Sequence, residues 1–142
     1  MIIKTTDAAA VTTAVAQYAD QILNLNVDEW LAGMGNIALT NDVGDVSMFE
    51  RQWVLPKTVS GHYFFFSRGK EAKAVAKEML REIFTGPYHV ETITGLTPVE
   101  HKGALWLNKQ LGFKEHGEIE TQAGPHVFVL LTKAEWEKNE NE

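Results

Sequence analysis

A short turn between an aromatic strand and a helix carries the residues of this chain best suited to bind an anion. The turn reads Arg68-Gly69-Lys70 and follows the aromatic run 63–66, which is too short for a helix and predicts a buried strand. Apolar residues at helical spacing then predict a helix over 71–84. Unpaired N–H groups at a helix start, its positive dipole end and two cationic side chains suit a phosphate. A solvated turn, in which Arg68 and Lys70 contact only water, is the alternative.

Histidine side chains add candidates for proton transfer. His62 lies at the start of the aromatic strand, and because imidazole titrates near neutrality it could act as a general base. A surface or hydrogen-bonded histidine is the alternative. The five histidines show no ligand spacing, so the sequence predicts no metal site. The chain has no cysteine, which excludes disulfides, thiolate metal sites and cysteine nucleophiles.

The composition is that of one soluble domain. The chain has 142 residues, of which 44% are hydrophobic and 23% charged, and its net charge of −6 opposes broad nucleic-acid binding. No apolar run reaches membrane-spanning length and no signal-peptide core follows Met1, so we expect a cytoplasmic protein that does not bind a membrane. We expect a single domain over residues 1–137 and a frayed acidic tail over 138–142.

Alternating strands and helices must position the turn and the histidines. The predicted strands cover residues 1–5, 36–40, 46–54, 58–66, 90–96, 113–121 and 127–132. The predicted helices cover residue 6 or 7 to about 23, 27–31, 71–84 and 99–111, with a helical turn at 134–136. This order predicts an α/β protein of the α+β three-layer kind, in which helices flank a mixed, mostly antiparallel sheet.

The element order resembles that of the GNAT superfamily of N-acetyltransferases, and two local stretches carry the resemblance. In that family the fourth strand leads into a pyrophosphate loop of the form Arg/Gln-x-x-Gly-x-Gly/Ala. Arg68-Gly69-Lys70 matches the opening of this loop, and Glu71 and Lys73 stand in place of its two spaced small residues.

A second stretch resembles the family's helix Asn-x-x-Ala-x-x-x-Tyr-x-x-x-Gly-Phe. Ala104 and the Leu-Gly-Phe of residues 111–113 match this pattern. His101 stands in the Asn position, and Asn108 stands where the Tyr is expected. The predicted helix places Ala104, Leu107 and Leu111 towards the core.

The resemblance implies an acyl-CoA-dependent N-acetyltransferase, in which the amine of a small molecule or a protein attacks the carbonyl of acetyl-CoA directly. The carbonyl would lie where the strand 58–66 diverges from the strand 90–96, polarised by backbone N–H groups near Phe65 and Phe66. The pyrophosphate would be held by Arg68, Gly69, Lys70, Ala72 and Lys73.

The same resemblance implies roles for the remaining polar residues. His101 and Asn108 would line the pantetheine and thiol region. Glu50, Glu91 and His62 would be candidate bases for the amine, since both glutamates lie on predicted strands beside the substrate. Solvated strand carboxylates are the alternative for Glu50 and Glu91.

Departures from the family pattern lead to a second hypothesis. Glu71 and Lys73 replace small residues that let the backbone approach a pyrophosphate, and Asn108 has no titratable proton for a leaving thiolate. Either the enzyme uses other groups or the fold no longer catalyses. The alternative is therefore a degenerate, inactive GNAT-like protein of the kind that bacteriophages encode for particle assembly or carry in the virion. Its partners would be phage particle components or a second copy of the chain.

The loops before the third strand usually set the acceptor in such a fold. Here these loops are residues 23–36 and 53–60. Trp30 and Trp53 could shape an apolar acceptor pocket, whereas burial in the core or in a dimer interface explains them as well.

Overall fold

The structure, a computed structural model, describes residues 1–18 and 25–141, which form seven strands and five helices. The strands are β1 (Ile3–Lys4), β2 (Ile37–Thr40), β3 (Val46–Gln52), β4 (Thr58–Phe64), β5 (Thr92–Pro98), β6 (Lys114–Thr121) and β7 (Gly124–Thr132). The helices are α1 (Ala8–Ala16), α2 (Val27–Ala32), α3 (Gly69–Thr85), α4 (Lys102–Gln110) and α5 (Lys133–Glu140). The predicted end of the first helix, residues 19–23, lies outside the described residues. None of the described helices has the length and apolar character needed to cross a bilayer.

The strands form one mixed sheet in the order β1-β2-β3-β4-β5-β7-β6. Neighbouring strands are antiparallel except β4 and β5, which are parallel because α3 carries the chain across one face between them. Pairing joins only residues 58–60 of β4 to residues 92–94 of β5, so the two strands diverge beyond that point. The predicted mixed, mostly antiparallel sheet flanked by helices is confirmed.

Strand alternation gives the sheet two different faces. On one face the fully buried Phe49 and Ile93 join Met79 of α3 and Trp136 of α5 in the larger core. Burying each such side chain contributes about 2 kcal/mol to stability. On the other face α1 and α2 cover a smaller core, which consists of Val11, Ala14, Val15, Ala38, Val46, Met48 and Phe64.

Helix α3 crosses the first face and begins at Gly69, two residues before the predicted start. Its buried residues recur at helical spacing and are Ala72, Ala76, Met79, Leu80, Ile83 and Phe84. The helix ends at Gly86, whose N–H donates to the carbonyl of Glu82 at 2.8 Å. A Cβ atom on Gly86 would lie 2.6 Å from that same oxygen, so only glycine fits at this position.

Two central strands have different ends from those predicted. β4 stops at Phe64, because the N–H groups of Phe66 and Ser67 bond to the carboxylate of Asp45 instead of a strand. β5 covers Thr92–Pro98 in place of 90–96, since the N–H groups of Glu91 and Thr92 both donate to the carbonyl of Lys57.

Helix α4 is shorter than the predicted 99–111 because the chain turns after Pro98, whose carbonyl accepts the N–H of His101 at 3.0 Å. Leu107 and Leu111 are buried as predicted. Ala104 is exposed, and the prediction that it packs inward is wrong. Its side of α4 faces an open cleft, described below, instead of the core.

Helix α5 continues to Glu140, where the sequence predicted a single helical turn and a frayed tail from residue 138. Thr132 caps its start by accepting the N–H of Glu135 at 3.1 Å. Trp136 is buried against the larger core, and Arg81 of α3 pairs with Glu140 at 3.2 Å. Contacts along the whole helix therefore hold it to the domain.

Candidate active site

A cleft of about 960 Å³ opens where β4 and β5 diverge. Residues from both faces of the sheet line it, so it connects the α3 and α4 side with the α1 and α2 side. A gap of this kind forms when the hydrogen bonds between two parallel strands stop while each strand stays paired with its other neighbour. We call its two sides the cofactor wall (α3 and α4) and the acceptor wall (α1 and α2).

The cofactor wall contains five of the residues predicted to bind the cofactor: Phe65, Arg68, Gly69, Ala72 and His101. Gly103 and Ala104 of α4 also line this wall, and no atom lies within 4 Å of the position that a Cβ on Gly103 would take. Asn108, predicted near the reacting thiol, also lines this wall.

The turn into α3 presents free backbone donors. Gly69 has a φ of +57°, which glycine adopts without strain, and no atom lies within 4 Å of the position that a Cβ would take. Arg68 occupies the cap position, and its side chain makes no capping bond to the helix. The first three N–H groups of α3 have no acceptor among the described residues, and they lie at the positive end of the helix dipole.

The Arg68 side chain fixes the shape of this turn. Its guanidinium donates to the carbonyl oxygens of Phe65 and Ser67, and at 3.5 Å to the side chain of Gln17 after α1. These bonds use donors that a free arginine would offer to a ligand. Arg68 therefore both lines the cleft and holds the turn against α1.

A buried carboxylate holds the other end of the turn. Asp45 is 0% exposed, and its carboxylate accepts the N–H of Phe66 (2.6 Å), the N–H of Ser67 (3.0 Å) and the hydroxyl of Ser67 (2.6 Å). Burial raises the pKa of Asp45, but hydrogen bonds from Ser67, Asn41 and Phe66 outweigh that effect and hold it below the ordinary 3.8. The prediction that the Phe66 N–H polarises a bound carbonyl is wrong, because Asp45 occupies that donor.

Asn108 is buried, and its Nδ2 donates to the hydroxyl of Thr97 on β5 at 2.9 Å. This bond ties α4 to β5 at the base of the cleft. An amide in this position can donate or accept a hydrogen bond but transfers no proton near neutral pH.

Tyr63 of β4 also lines the cleft, and its hydroxyl is buried without a hydrogen-bond partner among the described residues. Burial raises the pKa of Tyr63 far above its ordinary value, so the phenol stays protonated. From the sequence, Tyr63 is only one residue of the aromatic run that predicts a buried strand.

Two of the three residues predicted as bases, Glu50 and His62, line the cleft, and both lie on the acceptor wall. Glu50 on β3 and His62 on β4 are diagonal neighbours across the strand pair, on the same face as Met48. His62 is open to the solvent of the cleft. Burial by the surrounding protein nevertheless lowers the pKa of His62 below 6.5, and the negative charge of Glu50 partly opposes the shift. The lowered pKa therefore favours the neutral form of the imidazole at pH 7.

Four of the predicted site residues lie outside the cleft: Phe66, Lys70, Lys73 and Glu91. Phe66 is 43% exposed. Lys70 is exposed on the first turn of α3, and the Lys73 ammonium donates to Gln110 of α4 at 3.0 Å. Glu91 precedes β5 instead of lying on it, and its carboxylate pairs with exposed Lys57 at 3.6 Å. The occupied N–H of Phe66 and the position of Glu91 before β5 correct these two predictions, whereas the cofactor roles of Lys70 and Lys73 stay predictions.

Sequence reasoning missed Asp45 and Thr97. Asp45 directly follows the turn signal of residues 41–44, but its partner Ser67 is 22 residues away, so no local pattern marks the contact. Thr97 looks like any strand threonine until Asn108 is placed against it. Among residues 1–18 and 25–141 no three His, Asp or Glu side chains come together as a metal site would require.

Comparisons with known proteins identify the fold. No protein-family model and no curated protein sequence matches the chain. Solved structures do: mutant forms of the spermidine/spermine N-acetyltransferase SpeG from Vibrio cholerae align with a TM-score of 0.76 at 10% identity, over 100% of this chain and 98% of theirs. The aminoglycoside acetyltransferase AAC(6')-Ib, in complex with coenzyme A and kanamycin, aligns with a TM-score of 0.73 at 16% identity, over 99% and 98%.

An uncharacterised protein from Bacillus halodurans aligns equally well, with a TM-score of 0.74 at 12% identity, over 96% of this chain and 86% of that chain. The similarity in all three cases covers at least 96% of this chain, although few residues are identical. The chain therefore has the GNAT fold, as its element order and its two local stretches predicted.

Proposed function

We propose that this protein is an N-acetyltransferase that moves the acetyl group of acetyl-CoA to an amine. The cleft between β4 and β5 carries the proposal, because it connects a turn with free backbone donors to a glutamate–histidine pair. Its similarity in fold to SpeG and to AAC(6')-Ib, the latter bound to coenzyme A, supports this assignment.

Acetyl-CoA would bind along the cofactor wall. Its pyrophosphate would accept hydrogen bonds from the N–H groups at the start of α3. Gly69, the first residue of this helix, has no side chain that would obstruct the approach of the pyrophosphate. Its pantetheine chain would pass between Ala72 and Ala104, whose small side chains line the opening. Arg68 would hold the turn and add positive charge.

The reaction would form a bond between the acceptor nitrogen and the acetyl carbon and break the bond between that carbon and sulfur. An acceptor bound as an ammonium must lose one proton before its nitrogen attacks and a second proton as the amide forms. We infer that His62 accepts the first, directly or through one water, because its lowered pKa favours the neutral imidazole, and that the second passes to water. Glu50 would attract the amine to the same wall.

The leaving thiolate does not require an acid on α4. A thiol has an ordinary pKa of about 8.5, so the thiolate can depart near neutral pH and take a proton from water. Asn108 in place of the family's tyrosine is then compatible with the reaction, and its bond to Thr97 gives it a positioning role.

Thermal unfolding with acetyl-CoA tests the proposal. A ligand at 100 times its Kd stabilises the native state by about 2.7 kcal/mol, which raises the melting temperature by several degrees. Ala104→Phe places a ring in the cleft from an exposed helix position, whereas Ala74→Phe makes the same change on the exposed side of α3, outside the cleft. We expect the wild type and A74F to shift and A104F to show no shift. No shift of the wild type at millimolar acetyl-CoA would overturn the proposal.

The inactive phage assembly protein stays a prediction. It expects no acetyl-CoA shift, together with co-sedimentation of the chain with phage particles. A monodisperse protein that is stabilised by acetyl-CoA and consumes it with an amine would contradict that alternative.

A further inference from the structure

We propose that the acceptor is a small primary amine that carries a single positive charge on an apolar, aromatic body. The inference rests on the proposed function and specifies the acceptor half of the same cleft. It sets this chain apart from the spermidine/spermine and aminoglycoside acetyltransferases that share its fold.

Apolar side chains form much of the acceptor wall, and its polar side chains besides Glu50 and His62 are the neutral or weakly basic Thr94, Thr121 and His126. Its apolar lining residues are Tyr18, Leu25, Trp30, Met48, Phe64 and Leu96. Tyr18, Leu25 and Trp30 also pack against the smaller core, so the wall has a fixed shape. Side chains of this kind bind a ligand by removing its apolar surface from water, and they offer nothing to hydroxyl groups or additional charges.

Aromatic rings form a row beside the proposed base. The His62 ring stacks on Phe64 with centroids 6.3 Å apart, and Phe64 contacts the Tyr18 ring edge-on at 5.6 Å. An aromatic body on the acceptor would extend this row through the offset or edge-on contacts that aromatic rings prefer. Its amine end would then lie beside His62, where the proton must be accepted.

The charge of the cleft matches a single ammonium. Glu50 is the one carboxylate among the described residues that line it, and the permanent positive charge there, Arg68, belongs to the cofactor wall. Glu50 can pair with one ammonium. Each further ammonium of a polyamine or aminoglycoside would lose its water against apolar side chains without a partner, which is unfavourable.

Steady-state kinetics with four amines tests the inference. 2-Phenylethylamine and tryptamine represent the proposed class, and spermidine and kanamycin represent polycations. We expect kcat/KM for the two aromatic amines to exceed that for the polycations by about tenfold or more, as the loss of one unpaired charge in an apolar site implies.

Two pairs of variants locate the effect. Glu50→Gln should raise KM for 2-phenylethylamine about tenfold, the cost of a lost charged hydrogen bond, whereas Glu115→Gln on exposed β6 should not. Trp30→Ala should raise the same KM, and Trp53→Ala, in an exposed loop outside the cleft, should leave it unchanged. The acetyl-CoA thermal shift should persist in all four variants.

The outcomes separate this inference from the proposed function. Preferential transfer to spermidine or kanamycin, or acetyl-CoA binding without transfer to any of the four amines, overturns the acceptor assignment alone. Equal effects of W30A and W53A overturn it as well. Absence of any acetyl-CoA shift in the wild type overturns the proposed function and the acceptor assignment with it.

Discussion

The two walls of the cleft are held in place by different interactions. On the cofactor wall, the hydrogen bonds that Asp45 accepts fix the backbone of the turn, and the one that Asn108 donates fixes the position of α4. On the acceptor wall, apolar side chains pack against a small core and leave Glu50 and His62 open to solvent. Directional bonds suit the recognition of a constant group such as a pyrophosphate, whereas apolar packing lets side-chain size choose the acceptor. Changes to the first wall should therefore affect stability most, and changes to the second should affect substrate choice.

Asp45→Ala should produce the largest loss of stability. The substitution leaves two N–H groups and one hydroxyl without their acceptor in a buried site, so we expect the free energy of unfolding to fall by about 3–5 kcal/mol. Urea denaturation measures the change. The control is Asp42→Ala, which removes an exposed carboxylate paired with the N-terminus at 3.6 Å and should cost about 0.5 kcal/mol or less. Similar losses in both variants would show that Asp45 does not hold the turn.

The Thr97–Asn108 pair should behave as one unit. Thr97→Val alone leaves the buried Nδ2 of Asn108 unpaired and should cost about 1–3 kcal/mol of unfolding free energy. Asn108→Leu removes the unpaired group, so the double variant should be more stable than T97V. A double-mutant cycle in urea measures the coupling. Additive losses would mean that the bond does not tie α4 to β5.

Two tyrosine hydroxyls do not follow this division between hydrogen-bonded and apolar walls. Tyr18 belongs to the acceptor wall, but its hydroxyl donates to the carbonyl of Phe65 at 3.2 Å. Tyr18→Phe should therefore lower the free energy of unfolding by about 1 kcal/mol. Tyr63 has a buried hydroxyl without a partner among the described residues, so Tyr63→Phe should leave stability unchanged or raise it. Thermal unfolding of the two variants without ligand compares them. A larger loss in Y63F than in Y18F would contradict this assignment.

The smallest effect concerns the titration of His62. Because burial lowers its pKa while Glu50 raises it, the imidazole should titrate below 6.5, and Glu50→Gln should lower the pKa further. Proton transfer to His62 should therefore be lost only as the pH falls through this lowered value. NMR titration of the His62 ring protons, assigned with His62→Gln, measures both values. An unchanged pKa in E50Q would show that the two side chains do not interact, and a higher one would contradict the direction of their interaction.

Much of the fold follows from the sequence, because each element has a local signal. The helical spacing from Ala72 to Ile83 and the aromatic strand before it set the crossover that makes β4 and β5 parallel. Element ends were less accurate, since they depend on contacts between distant residues. Glu91 was placed on a strand, but the Lys57 carbonyl takes its N–H and shifts the start of β5.

Only the part of the site that is formed by one local stretch of backbone could be predicted from the sequence. The turn at Arg68 and Gly69 could be recognised because a strand, a glycine and a helix start follow one another in the sequence. The roles of Phe66 and Lys73 could not, because they are decided by Asp45 and Gln110, which lie 21 and 37 residues away along the chain. Polar residues buried by tertiary contacts leave no periodic pattern in a single sequence.

The most direct test of the cofactor wall is an amide chemical-shift map with and without acetyl-CoA. We expect large shifts for the backbone N–H groups of Gly69, Lys70 and Glu71, which begin α3 without intrahelical partners. The N–H groups of Phe66 and Ser67, already bonded to Asp45, should keep their positions as hydrogen-bonded donors and shift much less. Shifts confined to the β6 and β7 hairpin, or absent from the start of α3, would contradict the assignment of this turn as the pyrophosphate site.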